Sequence, residues 1–224
     1  MNGESASVTW TVAVGSERTS AIRDPAMGPE TALFVCAHGA GGHMADRGML
    51  AMARTLTRHG VAVVRFNFLY RERRAGRPDP MPRLMETIAA VVDVARADPR
   101  PRRLVIGGRS MGGRAASMLA ADGFAADGLL LLAYPLHPAS RPDQLRTAHL
   151  SRIRMPVLCV NGTRDALCTP ALMERALESV VAPWTMHWVA GADHSFHVLK
   201  SSGRTDADVM AETGAVSQNW ILTL

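Results

Sequence analysis

The stretch Arg103-Leu104-Val105-Ile106-Gly107-Gly108-Arg109-Ser110-Met111-Gly112-Gly113 decides the fold. Its first five residues, centred on the apolar Leu104-Val105-Ile106, read as a strand. A helical pattern follows from near Met111 to about Asp122-Gly123. Between them stands a full G-x-S-x-G pattern, Gly108 to Gly112. A serine at such a strand-to-helix turn needs a sharp, strained backbone. Glycines two before and two after it remove the Cβ atoms that would block the turn. The helix N-terminus that follows favours developing negative charge. Alone, the pattern is also compatible with a glycine-rich βα turn carrying an incidental serine.

Outward from this turn, short apolar runs alternate with longer helical stretches, which points to a mostly parallel sheet. Strands are expected at 8–14 (an edge strand), 31–37, 61–68, 103–107, 128–134, 156–161 and 184–189. Residues 16–30 read as a loop or weak hairpin, and 71–82 as a basic, proline-containing loop. Helices are expected at about 46–58, ended by Gly60, at about 83–97, stopping before Pro99, from 111, from Thr169-Pro170, and at about 206–224. The whole chain, 1–224, reads as one domain with about seven strands flanked by helices. In such sheets the ligand site lies at the carboxyl ends of the strands.

Three further segments sit directly after strands. His38-Gly39-Ala40-Gly41-Gly42 follows the run at 31–37. Acyl transfer needs backbone N–H groups aimed at an oxyanion. Candidate donors are the amides of Met111 and Ala40, with Gly41 as second choice. No Gly-Lys-Ser/Thr follows, so this is not a P-loop. His38 reads as a structural residue bonding the loop backbone. Asn161-Gly162-Thr163-Arg164-Asp165 supplies a carboxylate able to fix an imidazole tautomer. Gly191-Ala192-Asp193-His194-Ser195-Phe196 supplies the imidazole. His197 and His187 are its rivals, and His187, inside a strand, reads as structural. The order Ser…Asp…His across successive strand ends matches this fold. The catalytic candidates are therefore Ser110, Asp165 and His194.

Composition narrows the class. The 224 residues are 47% apolar and 20% charged. No run approaches the roughly 20 apolar residues of a membrane span. The opening Met1 to Ser5 has no signal-like n-region, so a cytoplasmic protein is expected. Cys36, Cys159 and Cys168 suggest neither a disulfide framework nor a metal site, and no cofactor is expected. The net charge is +5, and Lys200 is the only lysine. Arginines cluster only at 71–77, without interleaved aromatics, so no nucleic-acid partner is expected. Oligomeric state is not readable. Because the cluster follows a strand end, Arg71, Arg73 and Arg74 are candidates for steering an anionic acyl substrate. The alternative is a solvated basic loop.

On these motifs the chain resembles the α/β-hydrolase superfamily, specifically its small, lidless, dienelactone-hydrolase-like branch. His38 to Gly42, Arg65-Phe66-Asn67-Phe68, Gly107 to Arg114 and Tyr134-Pro135-Leu136-His137-Pro138 are similar to a narrower group. That group includes testis-expressed hydrolase-like proteins and a hydrolase-like subunit of the NSL chromatin complex. The resemblance runs from about residue 30 onward. It implies an α/β-hydrolase fold without a cap domain, the triad Ser110, Asp165 and His194, and oxyanion donors at Ala40 and Met111. It departs at Leu69, where proline is common, and at Ala166-Leu167, where an aromatic pairing is usual. The implied activity is hydrolysis of a carboxylic ester, thioester or lactone through an acyl-enzyme on a small-molecule substrate. Two alternatives are a catalytically unused, hydrolase-like interaction module and a small acyltransferase.

Overall fold

Four six-residue or shorter runs, Ala32–Ala37 (β3), Val61–Phe66 (β4), Gly128–Leu132 (β6) and Val157–Gly162 (β7), are buried at every position. Only a strand covered on both faces by helices is buried this way. The computed structural model describes residues 6–97 and 103–224. The readings at Met1 to Ser5 and at Pro99 lie outside the described residues. With Val8–Val14 (β1), Glu17–Asp24 (β2), Leu104–Arg109 (β5) and Trp184–Val189 (β8), the strands form one sheet in the order β1-β2-β4-β3-β5-β6-β7-β8. From β4 to β8 every pairing is parallel; β1 and β2 join antiparallel at one edge.

The sheet has eight strands where the sequence suggested about seven. The extra one is β2, read as loop or weak hairpin because Glu-Arg-Thr-Ser-Ala-Ile-Arg-Asp is polar. Two ion pairs compensate. Arg23 pairs with Glu30 at 2.6 Å, and Asp24 receives Arg65 of β4 at 2.5 Å. Both guanidinium groups are buried, so the acids beside them are what allow charged residues within a strand.

Helices Arg47–Arg58 (α1) and Asp206–Ile221 (α6) cover one face of the sheet. Phe34 and Cys36 of β3 pack there with Met49, Met52, Leu56, Val209 and Ile221. Met81–Arg96 (α3) and Met111–Ala121 (α4) cover the other face, against Leu33, Val35 and Ala37. Successive β3 side chains thus feed opposite cores, as period-two geometry requires. Pro82 lies inside the first turn of α3, not in the preceding loop; a missing N–H costs nothing there. The expected loop at 71 also begins with a short helix, Leu69–Glu72 (α2). Thr169 precedes Pro170–Leu177 (α5) at the cap position, but its side chain makes no capping bond.

Between β6 and β7, residues 133–156 contain one short 3₁₀ turn, Leu150–Arg152, and no cap domain. No helix among the described residues is long and apolar enough to cross a membrane.

Candidate active site

Ser110 sits between β5 and α4 with φ 52° and ψ −117°. A non-glycine residue held there stores on the order of 1–3 kcal/mol of backbone strain. The surroundings hold it in place. Its amide donates to the Leu132 carbonyl at 2.9 Å, and its carbonyl accepts from Arg114 at 3.0 Å. The flanking glycines are steric necessities. A Cβ on Gly108 would lie 2.2 Å from the Ala37 oxygen, and one on Gly112 would lie 2.5 Å from the same atom. The elbow is therefore wedged against the end of β3.

His194 Nε2 lies 2.9 Å from Ser110 Oγ, and His194 Nδ1 lies 2.8 Å from Asp165 Oδ2. If Nε2 accepts the serine hydroxyl proton, Nδ1 carries the ring N–H and donates it to the carboxylate. The structure thus brings together the three side chains the sequence singled out, from loops after β5, β7 and β8. Asp165 is 2% exposed. A carboxylate so buried needs donors. Its Oδ1 receives the Leu167 amide at 2.8 Å, and its Oδ2 receives Asn161 Nδ2 at 3.1 Å.

Sequence reasoning quoted Asn161 but gave it no role. It is fully buried at the end of β7 and fixes Asp165 to the segment just after β6: its Oδ1 accepts from the Tyr134 amide at 3.0 Å and its Nδ2 also reaches the Tyr134 carbonyl at 3.2 Å. An asparagine inside an otherwise apolar buried strand was the available signal. Arg109 was missed too. Its Nη2 donates to the His194 carbonyl at 3.1 Å, tying the histidine loop to the elbow. Asp193 closes that loop by accepting the amides of Ser195 at 2.7 Å and His197 at 3.0 Å.

The loop after β3 lies beside the nucleophile: a Cβ on Gly39 would come within 3.6 Å of Ser110 Cβ. Its carbonyls are held from behind. His38 Nδ1 donates to the Gly39 oxygen at 2.8 Å while Nε2 accepts the Phe68 amide at 3.1 Å. His38 is thus the structural residue expected. Burial is the main reason its pKa falls to about 4, which keeps the ring neutral in this role. Tyr70 Oη donates to the Ala40 oxygen at 2.8 Å. Arg71 Nε donates to the Gly42 oxygen at 2.6 Å, and its Nη2 to the Gly41 oxygen. With every carbonyl from Gly39 to Gly42 engaged, the peptide planes are fixed. Among the described residues neither the Ala40 nor the Met111 amide donates to a protein acceptor.

The basic cluster is placed differently from the substrate-steering expectation. Arg71 is spent on the loop backbone. Arg73 bonds Glu17 at 2.6 Å and also Asp79. Arg74 is exposed in a left-handed turn. None of the three lines the cleft that holds Ser110. The rival histidines are engaged elsewhere: His187 with Glu212 at 2.7 Å and His197 with Asp206 at 3.0 Å. Cys36, Cys159 and Cys168 are all buried as free thiols, and burial raises each pKa.

The cleft itself has a volume of about 1050 Å³. Ser110, His194, Ala40 and Gly41 lie at one end, and it continues between α1 and α6 over Met49, Met52 and Met210.

The chain belongs to the family described as an alpha/beta hydrolase domain, which matches residues 30–222. Among solved structures, a dienelactone hydrolase from Anabaena variabilis is similar, with 20% identity, 97% of each chain covered and a TM-score of 0.75. A lidless α/β serine hydrolase from Xanthomonas campestris shares 22% identity over 96% of this chain and 94% of that one, with a TM-score of 0.73. A dienelactone hydrolase-like promiscuous phosphotriesterase from metagenomic libraries shares 18% identity over 98% of each chain, with a TM-score of 0.72. At these identities the likeness carries the fold. None of the three is described as a chromatin-complex subunit.

Proposed function

We propose that the protein is a serine hydrolase that cleaves a carboxylic ester, thioester or lactone through an acyl-enzyme on Ser110. One observation carries this reading: a single imidazole bridges Ser110 Oγ and the buried Asp165 carboxylate, at 2.9 and 2.8 Å.

Each group has a step that its position suits. His194 Nε2 takes the hydroxyl proton as Ser110 Oγ bonds to the acyl carbon. Asp165 holds the ring in the tautomer that leaves Nε2 free to accept, and stabilises the imidazolium. The amides of Ala40 and Met111 receive the oxyanion as it forms. His194 returns the proton to the departing alkoxide or thiolate. Water then gives up a proton to His194 and attacks the acyl-enzyme. The acid leaves, and Ser110 recovers its proton.

A fluorophosphonate probe tests the proposal. Wild-type protein should be labelled at Ser110 and should hydrolyse short p-nitrophenyl esters. Ser110→Ala and His194→Ala should abolish both. Folded wild-type protein that resists labelling would rule out the serine chemistry and favour an unused interaction module. Labelling together with acyl transfer to an added alcohol in preference to water would favour an acyltransferase.

A further inference from the structure

We infer that the groove between α1 and α6 is the substrate channel, and that it selects esters or thioesters bearing an anionic group remote from the scissile carbonyl. This rests on the serine hydrolase reading above and names the substrate class of the same site.

The groove opens from the nucleophile end. The same continuous cavity is lined by Ser110 and His194 and, along α1, by Arg47, Arg54 and Arg58. These three positions are separated by seven and four residues, so they fall on one stripe of a helix with 3.6 residues per turn. At about 1.5 Å per residue, Arg58 lies roughly 16 Å along the axis from Arg47. The stripe starts next to the loop that carries Ala40 and runs away from it. The floor between is apolar, made of Met49, Met52 and Met210. An apolar segment near the reacting centre, followed by a cationic rim, is complementary to an amphipathic anion.

Two of the charges on this rim are available. Among the described residues Arg54 and Arg58 make no ion pair or side-chain hydrogen bond, whereas Arg47 lies near enough to Asp206 to help lower that carboxyl's pKa. Arginines elsewhere, such as Arg65, Arg73 and Arg83, are neutralised by carboxylates. Two acids line the groove, and both are already engaged. Asp46 accepts the amides of Met49 at 2.8 Å and His43 at 3.1 Å. Asp206 accepts from Val198 at 3.1 Å and faces His197. The basic cluster at 71–77, which the sequence offered for this task beside the reading of a solvated loop, does not reach the cleft; α1 presents a basic stripe inside it.

The anionic group could belong to the acyl part or to the alcohol, and the two sources are separable. In one substrate pair, p-nitrophenyl decanoate is compared with the mono-p-nitrophenyl ester of decanedioic acid. In the other, the butyryl ester of decanol is compared with that of 10-hydroxydecanoic acid, followed by acid release. In one pair or both, the charged member should be preferred by about tenfold or more in kcat/KM at low salt, and about 0.5 M NaCl should erode that preference. The doubly substituted Arg54→Glu/Arg58→Glu protein should lose the preference or invert it. The inference is overturned if neither pair discriminates, or if the preference persists in that variant. Labelling of Ser110 by a fluorophosphonate separates the two failures. Labelled enzyme without discrimination removes only the channel assignment, whereas unlabelled enzyme removes the hydrolase reading beneath it.

Discussion

The phenol of Tyr70 donates to the carbonyl of Ala40 at 2.8 Å, so a side chain on α2 fixes the peptide whose neighbours face Ser110. Tyr70 is buried, and its contact is with backbone, which makes the loop rigid without occupying the cleft.

Tyr70→Phe should therefore keep the fold and lower kcat. One lost hydrogen bond of about 1 kcal/mol corresponds to a fall of roughly fivefold. Steady-state kinetics on a short p-nitrophenyl ester checks this. An unchanged kcat would show that the loop holds its shape without Tyr70.

Asp165→Asn should leave Ser110 and His194 in place but remove the acceptor for the Nδ1 proton. By analogy with other triads the loss in kcat is on the order of 10⁴. Active-site titration with a fluorophosphonate, paired with circular dichroism, reads it. A variant within about tenfold of wild type would mean another group orients the imidazole.

Asn161→Leu should destabilise the protein by about 2–4 kcal/mol. It strands the Tyr134 amide and one bond to the Asp165 carboxylate in a buried setting. Urea unfolding gives the value, and activity should fall with it.

Gly112→Ala and Gly41→Ala form a contrasting pair. A Cβ at Gly112 would meet the Ala37 oxygen at 2.5 Å, a backbone atom that has little room to retreat. The expected cost is at least about 2 kcal/mol, with loss of Ser110 labelling. A Cβ at Gly41 would meet nothing within 4 Å. That substitution should change stability by less than about 0.5 kcal/mol. Equal unfolding midpoints for the two variants would contradict the steric account of the elbow.

Stability should fall as pH drops from about 6.5 towards 4. Burial lowers the pKa of His38 and of His149 to about 4 in the folded protein. An unfolded histidine binds its proton near its ordinary value of about 6.5. Between the two values the unfolded state carries more protons, so stability is present above about 6.5 and is lost through this window. Each site contributes on the order of 3 kcal/mol at most. His149 shares a 2.7 Å bond with Ser117 Oγ, so His149→Gln should flatten the loss measured by urea titration at pH 7, 5.5 and 4.5.

The parallel core was legible because β3, β4, β6 and β7 are apolar at nearly every position and end in turn-forming residues. The three candidate catalytic side chains were legible because each stands in the turn after a strand, β5, β7 or β8. What escaped reading was fixed by distant partners. The residues of β2 look like a loop until Arg65 and Glu30 are placed beside Asp24 and Arg23. The four residues of α2 are too few to show a helical period. Arg71 looks like a solvent-facing cation in sequence, yet its partners are the carbonyls of Gly41 and Gly42, some thirty residues earlier. Arg47, Arg54 and Arg58 look like the wet side of an amphipathic helix; only the placement of α6 turns that side into the wall of a groove.

The three cysteines give the molecule a built-in clock. Cys36 and Cys159 are sealed in the sheet and Cys168 in the loop that leads into α5, and their thiols are driven towards the unreactive protonated form. Alkylating reagents therefore gain access at the rate at which the interior opens. Mass addition over time would record that breathing directly, at two strands of the sheet and at the loop beside Asp165.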